Sequence, residues 1–295
     1  IISLVSSPTY DPNAFVHGIN QKDWKFLLKN KAKPLTNKAI AGLYPPGSTI
    51  KTIVAFSALE NNIASPNLTV HCKGVTELHG EKFHCWKKKG HGYMNMRTAI
   101  QRSCDVYFYE IARKLGVDRL SETAKKFGLG KKILEGFLEE RPGVVPSTSW
   151  KKKYIGQNWY IGETLHSGIG QGYYLSTPLQ LCLMTAQIAN GGYEITPNIL
   201  VNNKRTNNEL RSYVEFKRNN PNAELPTDLL LDNFNLKPLF KNQENINFVK
   251  DAMFAATNEV GGTSYRSRLK DKKFMFAGKT GSSQIKKFTE EQREK

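Results

Sequence analysis

Apolar side chains recur at helical spacing over several internal stretches of the chain. Along Thr49–Leu59, the positions Ile50, Ile53, Val54, Ser57 and Ala58 follow an i, i+3, i+4 pattern, which predicts a helix opening at or just after Ser48. The breaker cluster Tyr44-Pro-Pro-Gly47 ends whatever precedes it. Helical patterning resumes over 94–127 and again over Thr177–Ala189, where Pro178 suits a first turn and Gly191-Gly192 supplies a stop. A further helix is predicted over 246–258, leading to Gly261-Gly262. Two segments read as strands: the opening Ile1–Ser6, which starts as if in mid-flow from a longer chain, and Phe274–Gly281, a core strand. Residues 72–92 lack periodicity and read as an irregular loop, and 202–245, polar and rich in Asn and Lys, read as an insertion. Helices in the middle with strands at both ends imply an α+β fold, in which distant segments form a sheet covered by helices.

Composition narrows the classes. The 295 residues suit one large domain or two small ones. Hydrophobic residues at 39% against charged residues at 23% exclude a disordered chain. No run approaches the roughly 18 apolar residues that a membrane span needs. Lys and Arg number 43 and Asp and Glu 26, a net charge of +17. The lysine clusters 87–89, 151–153 and 272–273 are short, scattered and accompanied by no nucleic-acid-binding motif, so they read as a solvated surface or as attraction to an anionic substrate. Nucleic acid is excluded as a partner on that ground.

Candidate chemistry begins at Ser48-Thr-Ile-Lys51. On a helix, i and i+3 share a face, so an amine at Lys51 can reach a hydroxyl at Ser48 and act as its base. The bare S-x-x-K spacing also occurs at Ser149…Lys152, Ser267…Lys270 and Ser283…Lys286. Ser48 differs by following Pro-Pro-Gly and opening a helix whose N-terminal amides suit an oxyanion. Lys279-Thr280-Gly281 occurs once and is followed by Ser282, offering a cation and a close-packing backbone to a carboxylate-bearing peptide. Ser103-Cys-Asp105 lies between the two and supplies a hydroxyl for proton relay. Ser65-Pro-Asn67 matches S-x-N only literally and is set aside because of its proline.

These three motifs form the set found together in penicillin-binding proteins and serine β-lactamases. With Ser7-Pro-Thr-Tyr-Asp-Pro-Asn13, Trp86-Lys-Lys-Lys-Gly-His-Gly92, Gly168-Ile-Gly-Gln-Gly172 and Ser176-Thr-Pro-Leu-Gln180, the chain resembles the class B penicillin-binding proteins from end to end, most closely their elongation-specific branch. The resemblance implies a transpeptidase domain over 1–295: a mainly antiparallel five-stranded sheet under helices, beside an all-helical subdomain. It implies Ser48 as nucleophile, Lys51 as base and Ser103 as proton shuttle. Lys279 and Thr280 would hold the peptide carboxylate, and the amides of Ser48 and Ser282 would form the oxyanion hole. Asp105 stands where the wider superfamily has Asn, and a carboxylate beside Lys51 favours its charged form. Peptidoglycan stem peptides and β-lactams are the implied ligands. The implied partners are a membrane-embedded glycosyltransferase and elongation-complex proteins at the periplasmic face of the inner membrane. A membrane helix, a pedestal domain and further C-terminal strands and a helix belong to the family pattern beyond these residues. A serine β-lactamase or a penicilloyl-sensing receptor domain is the alternative, although no Glu-x-x-x-Asn segment for deacylation stands between the second and third motifs.

Four cysteines remain. Cys182 falls beside Leu179, Leu183 and Ala186 and reads as a buried small hydrophobe. By spacing alone, Cys72, Cys85, His91 and Cys104 fit either a structural Cys₃His zinc site or one disulfide plus a free thiol. The resemblance implies zinc at these four positions, and the choice of His91 rests on its Lys-Gly-His-Gly context.

Overall fold

The computed structural model describes residues 1–134, 136–199 and 237–283, together with Asn219. Most of the insertion expected over 202–245, and the charged tail after Ser283, lie outside the described residues.

A buried helix, α3 (Lys51–Glu60), forms the centre. Nine consecutive residues, Lys51 to Leu59, are buried, so it is a core helix with no solvent stripe. It packs against α5 (Asp105–Leu115), α6 (Val117–Lys126) and α10 (Gln243–Asn258). Phe56 meets Phe127 edge-on at 5.6 Å between ring centroids and Phe240 at 4.3 Å, pinning α3 between α6 and the approach to α10. Burying such a ring stabilises the fold by about 1.5–3 kcal/mol. The hydroxyls of Ser57 and Thr123, 2.8 Å apart, satisfy each other in the same interface.

Around this centre, α4 (Met96–Gln101) packs on α10, and α5 packs on α8 (Ile161–Gly168). Asn95 and Thr98 close a reciprocal capping box at the start of α4. Thr177 and Gln180 do the same for α9 (Pro178–Ala189), with Pro178 in the first turn as its sequence predicts. The short helix α2 (Lys38–Ala41) buries Ala39 and Ile40 against α9, while α1 (Gln21–Lys29) and α7 (Thr148–Ile155) lie towards the periphery.

The segment 72–92 is not the irregular loop expected. Residues 70–94 form two antiparallel pairs, β1 (Val70–Cys72) with β4 (Gly92–Met94) and β2 (Val75–Leu78) with β3 (Glu81–His84). The β2–β3 turn is His79-Gly80, both at positive φ (51° and 83°), as a two-residue hairpin of matching twist requires. Strands of three or four residues are too short to display a period of two.

Neither terminal strand is present among the described residues. Ile1–Ser6 has no strand partner there. Phe274, Met275 and Phe276 are 60%, 39% and 43% exposed, and the chain from 275 to 281 belongs to no helix or strand and passes beside α10. Gly278 N–H donates to the Met253 carbonyl, and Asn258 Nδ2 donates to the Phe276 carbonyl. Apolar composition alone does not make a strand, because the ladder needs a neighbouring backbone. Cys182 is also corrected: it is exposed. The buried face of α9 carries Gln180, Leu183, Met184 and Gln187, and at 100° per residue Cys182 falls on the opposite side. The two buried amides are satisfied, Gln180 Nε2 by the Lys131 and Pro142 carbonyls and Gln187 Nε2 by that of Phe127.

Candidate active site

Ser48 sits in a single 3₁₀ turn, Gly47–Ile50, that runs directly into α3. The turn is held from behind. Tyr44 and Ser176 exchange main-chain hydrogen bonds of 2.9 Å, and Gly47 N–H donates to the Gly170 carbonyl at 3.0 Å. Gly47 and Gly170 both have positive φ (56° and 72°), and a Cβ on either would strike main-chain atoms, of Ser282 in one case and of Gly47 in the other. The glycines in Gly168-Ile-Gly-Gln-Gly172 thus include one that lets a second loop pack backbone-to-backbone against the nucleophile's turn.

Lys51, one helical turn beyond Ser48, is wholly buried. Its Nζ lies 2.6 Å from Asp105 Oδ1, 3.0 Å from the Ser103 carbonyl and 3.2 Å from Ser103 Oγ. A buried ammonium is tolerable only with such partners. The Ser48 hydroxyl, in contrast, forms no hydrogen bond among the described residues. The shared helical face brings Lys51 to the Ser103–Asp105 turn and leaves Ser48 Oγ facing the cleft.

The second lysine arrives from the far end of the chain. Lys279 Nζ donates to Ser103 Oγ at 2.8 Å and to the Thr280 carbonyl at 3.0 Å. Burial, reinforced by the charge of Lys51 and partly opposed by Asp105, holds its ammonium well below the ordinary lysine range. Thr280 Oγ1 donates to Thr263 Oγ1 at 2.9 Å, and Thr263 N–H donates to the Gln101 carbonyl, tying this segment to the end of α4. Ser282 closes the other side, its carbonyl accepting from Gln171 Nε2 at 3.3 Å.

These groups surround a cleft of about 430 Å³. Ser48, Ser103, Asp105, Thr280, Gly281 and Ser282 line it, and both lysines stand behind them. All eight residues nominated for catalysis and substrate binding therefore converge. Trp86, Ile169, Gln171 and Thr263 also line the cleft and were not nominated. Gln171 was legible within the Gly-Ile-Gly-Gln-Gly block, whereas Thr263 and Trp86 belong to no chemical motif.

The four nominated metal ligands also converge, with their donor atoms all within 4.8 Å of one another. His91 Nδ1 lies 3.7 Å from Cys72 Sγ and 3.5 Å from Cys85 Sγ, and none of the four cysteines forms a disulfide. The hydrogen bond between Cys85 and Cys104 drives Cys85 down towards thiolate and Cys104 up. Four ligands around zinc place sulfurs about 3.8 Å apart, given Zn–S bonds near 2.3 Å, so a small contraction of this cluster meets that geometry. One thiolate is already favoured and three soft donors are present, so the residues fit the group.

Comparison with known proteins follows the same lines. Residues 1–295 match the family described as penicillin binding protein transpeptidase domain. The chain is 36% identical over 295 residues to the peptidoglycan D,D-transpeptidase MrdA of Acinetobacter baumannii, covering 99% of this chain and 41% of that protein. It is 34% identical over 287 residues to MrdA of Escherichia coli, covering 97% and 42%. A crystal structure of Pseudomonas aeruginosa PBP2 in complex with WCK 5153 matches with a TM-score of 0.79 and 35% identity, over 95% of this chain and 59% of that one. PBP2 from Helicobacter pylori, solved alone and in complex with MreC, matches at 0.78 and 34%, over 95% and 48%. The chain spans about two fifths of the length of the curated relatives it matches.

Proposed function

The chain belongs to the penicillin-binding protein transpeptidase family, and from that premise we propose that it crosslinks peptidoglycan stem peptides during cell elongation through an acyl-enzyme on Ser48. The observation that carries this reading is the convergence of Lys51 and Lys279 on one hydroxyl, Ser103 Oγ, at the wall of the cleft that Ser48 lines. The Ser48 oxygen attacks the carbonyl of the penultimate D-alanine of a stem peptide. The peptide C–N bond breaks, and D-alanine leaves carrying the proton that Ser48 gave up. Lys51, one helical turn beyond Ser48, is the base that takes the Ser48 proton. Ser103 Oγ accepts from both lysines, so its own proton points into the cleft, where the leaving nitrogen needs one. The amides of Ser48 and Ser282 receive the oxyanion. An amine from a neighbouring strand then attacks the ester carbonyl and releases Ser48 Oγ, which recovers its proton. Lys279, behind Ser103, and Thr280 would together hold the substrate carboxylate, with Thr280 offering the direct contact. β-Lactams, which place a strained amide where the D-alanyl-D-alanine bond would lie, acylate the same oxygen.

A β-lactamase reading needs a carboxylate that is free to activate water. Asp105, the carboxylate that lines the cleft, is held by Lys51 on one oxygen and by the Trp86 N–H on the other. The structural zinc belongs to this proposal: Cys72, Cys85, His91 and Cys104 would hold it. When bound it supplies positive charge that keeps the thiols deprotonated, and it ties β1, β3 and the start of α5 together. Location at the periplasmic face of the inner membrane, with a glycosyltransferase and elongation proteins as partners, is proposed from the relatives. It fits the H. pylori PBP2–MreC complex. Among the described residues, no helix is long and apolar enough to cross a membrane.

The test is product analysis with a D-alanyl-D-alanine peptide and an amine acceptor in the intact protein. Acceptor-dependent amide product supports the proposal. Rapid turnover of penicillin, with hydrolysis only, would instead identify a β-lactamase.

A further inference from the structure

Trp86 stands between two sites and belongs to neither motif. It follows Cys85, its ring meets that of His91 edge-on at 5.3 Å, and it lines the active-site cleft. Its main-chain N–H donates to Asp105 Oδ2 at 2.8 Å. Its indole Nε1–H is shared between the carbonyls of Ser103, at 3.0 Å, and Arg102, at 3.2 Å. The residue remains 59% exposed, so it is not placed there by the demands of the core.

The turn it grips is strained. Ser103 has φ of 53°, the left-handed region, without being glycine. Such a conformation persists only where the surroundings over-determine it. Two groups hold the Ser103 carbonyl: Lys51 Nζ and Trp86 Nε1. Lys51 takes part in proton transfer, so its grip on the carbonyl changes as its protons move. The indole N–H does not ionise and keeps the same hydrogen bond at every step. The same division applies at Asp105, where Lys51 holds Oδ1 and the Trp86 amide holds Oδ2.

We propose that Trp86 is a positioning residue for acyl transfer, a clamp independent of protonation state that keeps Ser103 and Asp105 in register while Lys51 exchanges protons. This rests on the reading of Ser48 as the acylated nucleophile. The clamp acts on the chemical step and not on ligand capture. Losing the indole N–H lets the Ser103 hydroxyl swing away from the leaving nitrogen while a bicyclic ring kept at position 86 leaves the cleft wall in place, and displacements of this kind cost rate steeply.

The experiment compares three forms of the intact protein: wild type, Trp86→Phe, and a variant carrying site-specifically incorporated benzothienylalanine at position 86. The last keeps the bicyclic shape and replaces only the N–H with sulfur. Stopped-flow with a chromogenic cephalosporin separates the pre-covalent binding constant from the acylation rate constant. Thermal unfolding and metal content are measured on the same samples. The expected result is a fall of about tenfold or more in the acylation rate constant for both variants, with the unfolding midpoint and metal content close to wild type and, for the benzothienylalanine form, the binding constant close to wild type as well. An unchanged acylation rate overturns the proposal. So does a loss accounted for entirely by a smaller folded fraction, with the folded molecules acylating at the wild-type rate. A Ser48→Ala control run alongside separates the two readings, because continued labelling of that variant rejects the nucleophile assignment and leaves the Trp86 comparison to be judged on whatever residue is labelled.

Discussion

The ammonium of Lys51 lies 2.6 Å from Oδ1 of Asp105, with the lysine wholly buried and the carboxylate nearly so. Two charges drawn out of water together depend on each other. Removing one partner of such a pair costs about 3–5 kcal/mol because the other is left stranded. Asp105→Ala is therefore expected to lose that much stability in denaturant unfolding, and Asp105→Asn, which keeps an acceptor for Lys51, markedly less. Equal losses for Asn and Ala would show that the charge of Asp105 contributes little.

Lys279 gives the protein a predictable pH dependence. Its ammonium is depressed by burial and by Lys51, so the folded protein releases this proton at a lower pH than the unfolded chain does. Between the folded value and the ordinary lysine range, the unfolded state binds more protons, and stability rises with pH. Thermal unfolding across that window should show the rise in wild type and a shallower one in Lys279→Met. Identical slopes would remove Lys279 as its source.

The cluster of Cys72, Cys85, His91 and Cys104 leads to the expectation of close to one zinc per chain by elemental analysis. Cys85→Ser or exhaustive chelation should lower the unfolding midpoint by about 5 °C or more, since metal affinity for a folded site adds directly to folding free energy. Metal-free protein that unfolds at the same temperature would contradict the assignment.

Gly170 offers a test away from the chemistry. A Cβ there meets Gly47, the residue before the nucleophile, at a φ of 72°. Gly170→Ala should displace the Ser48 amide and slow acylation by about 10²-fold, the scale of losing one oxyanion donor. Acylation at the wild-type rate would show that the turn tolerates the displacement.

Much of this arrangement was legible before any coordinates. The breaker cluster ahead of Ser48, Pro178 at the start of α9 and the 3.6-residue period of α10 are local signals, and each element lies where its signal put it. Long-range outcomes were less legible. Phe274–Phe276 reads as core because it is apolar, yet whether an apolar run is buried depends on what lies beside it. The strands over 70–94 were missed because short ladders organised by a His-Gly turn and a cysteine cluster carry no alternating pattern. The motif spacing puts Lys51 on the face of Ser48, and the carboxylate expected beside Lys51 is there, with Asp105 Oδ1 2.6 Å from its Nζ. Trp86 stood in the sequence only as the first residue of the Trp86-Lys-Lys-Lys-Gly-His-Gly92 segment, because one of its two contributions is a backbone amide, which has no sequence signature, and the partners of its indole N–H are carbonyls distant in the chain.

Every role proposed for the cleft depends on Ser48 Oγ being the oxygen that becomes acylated. The direct measurement is intact-mass and peptide-mapping mass spectrometry of the protein after exposure to penicillin, for wild type and for Ser48→Ala. One penicilloyl group per chain on the peptide containing Ser48, and none on the variant, is the predicted result. Stoichiometric adduct on Ser48→Ala, or wild-type adduct mapping to Ser149 or Ser103, would contradict it.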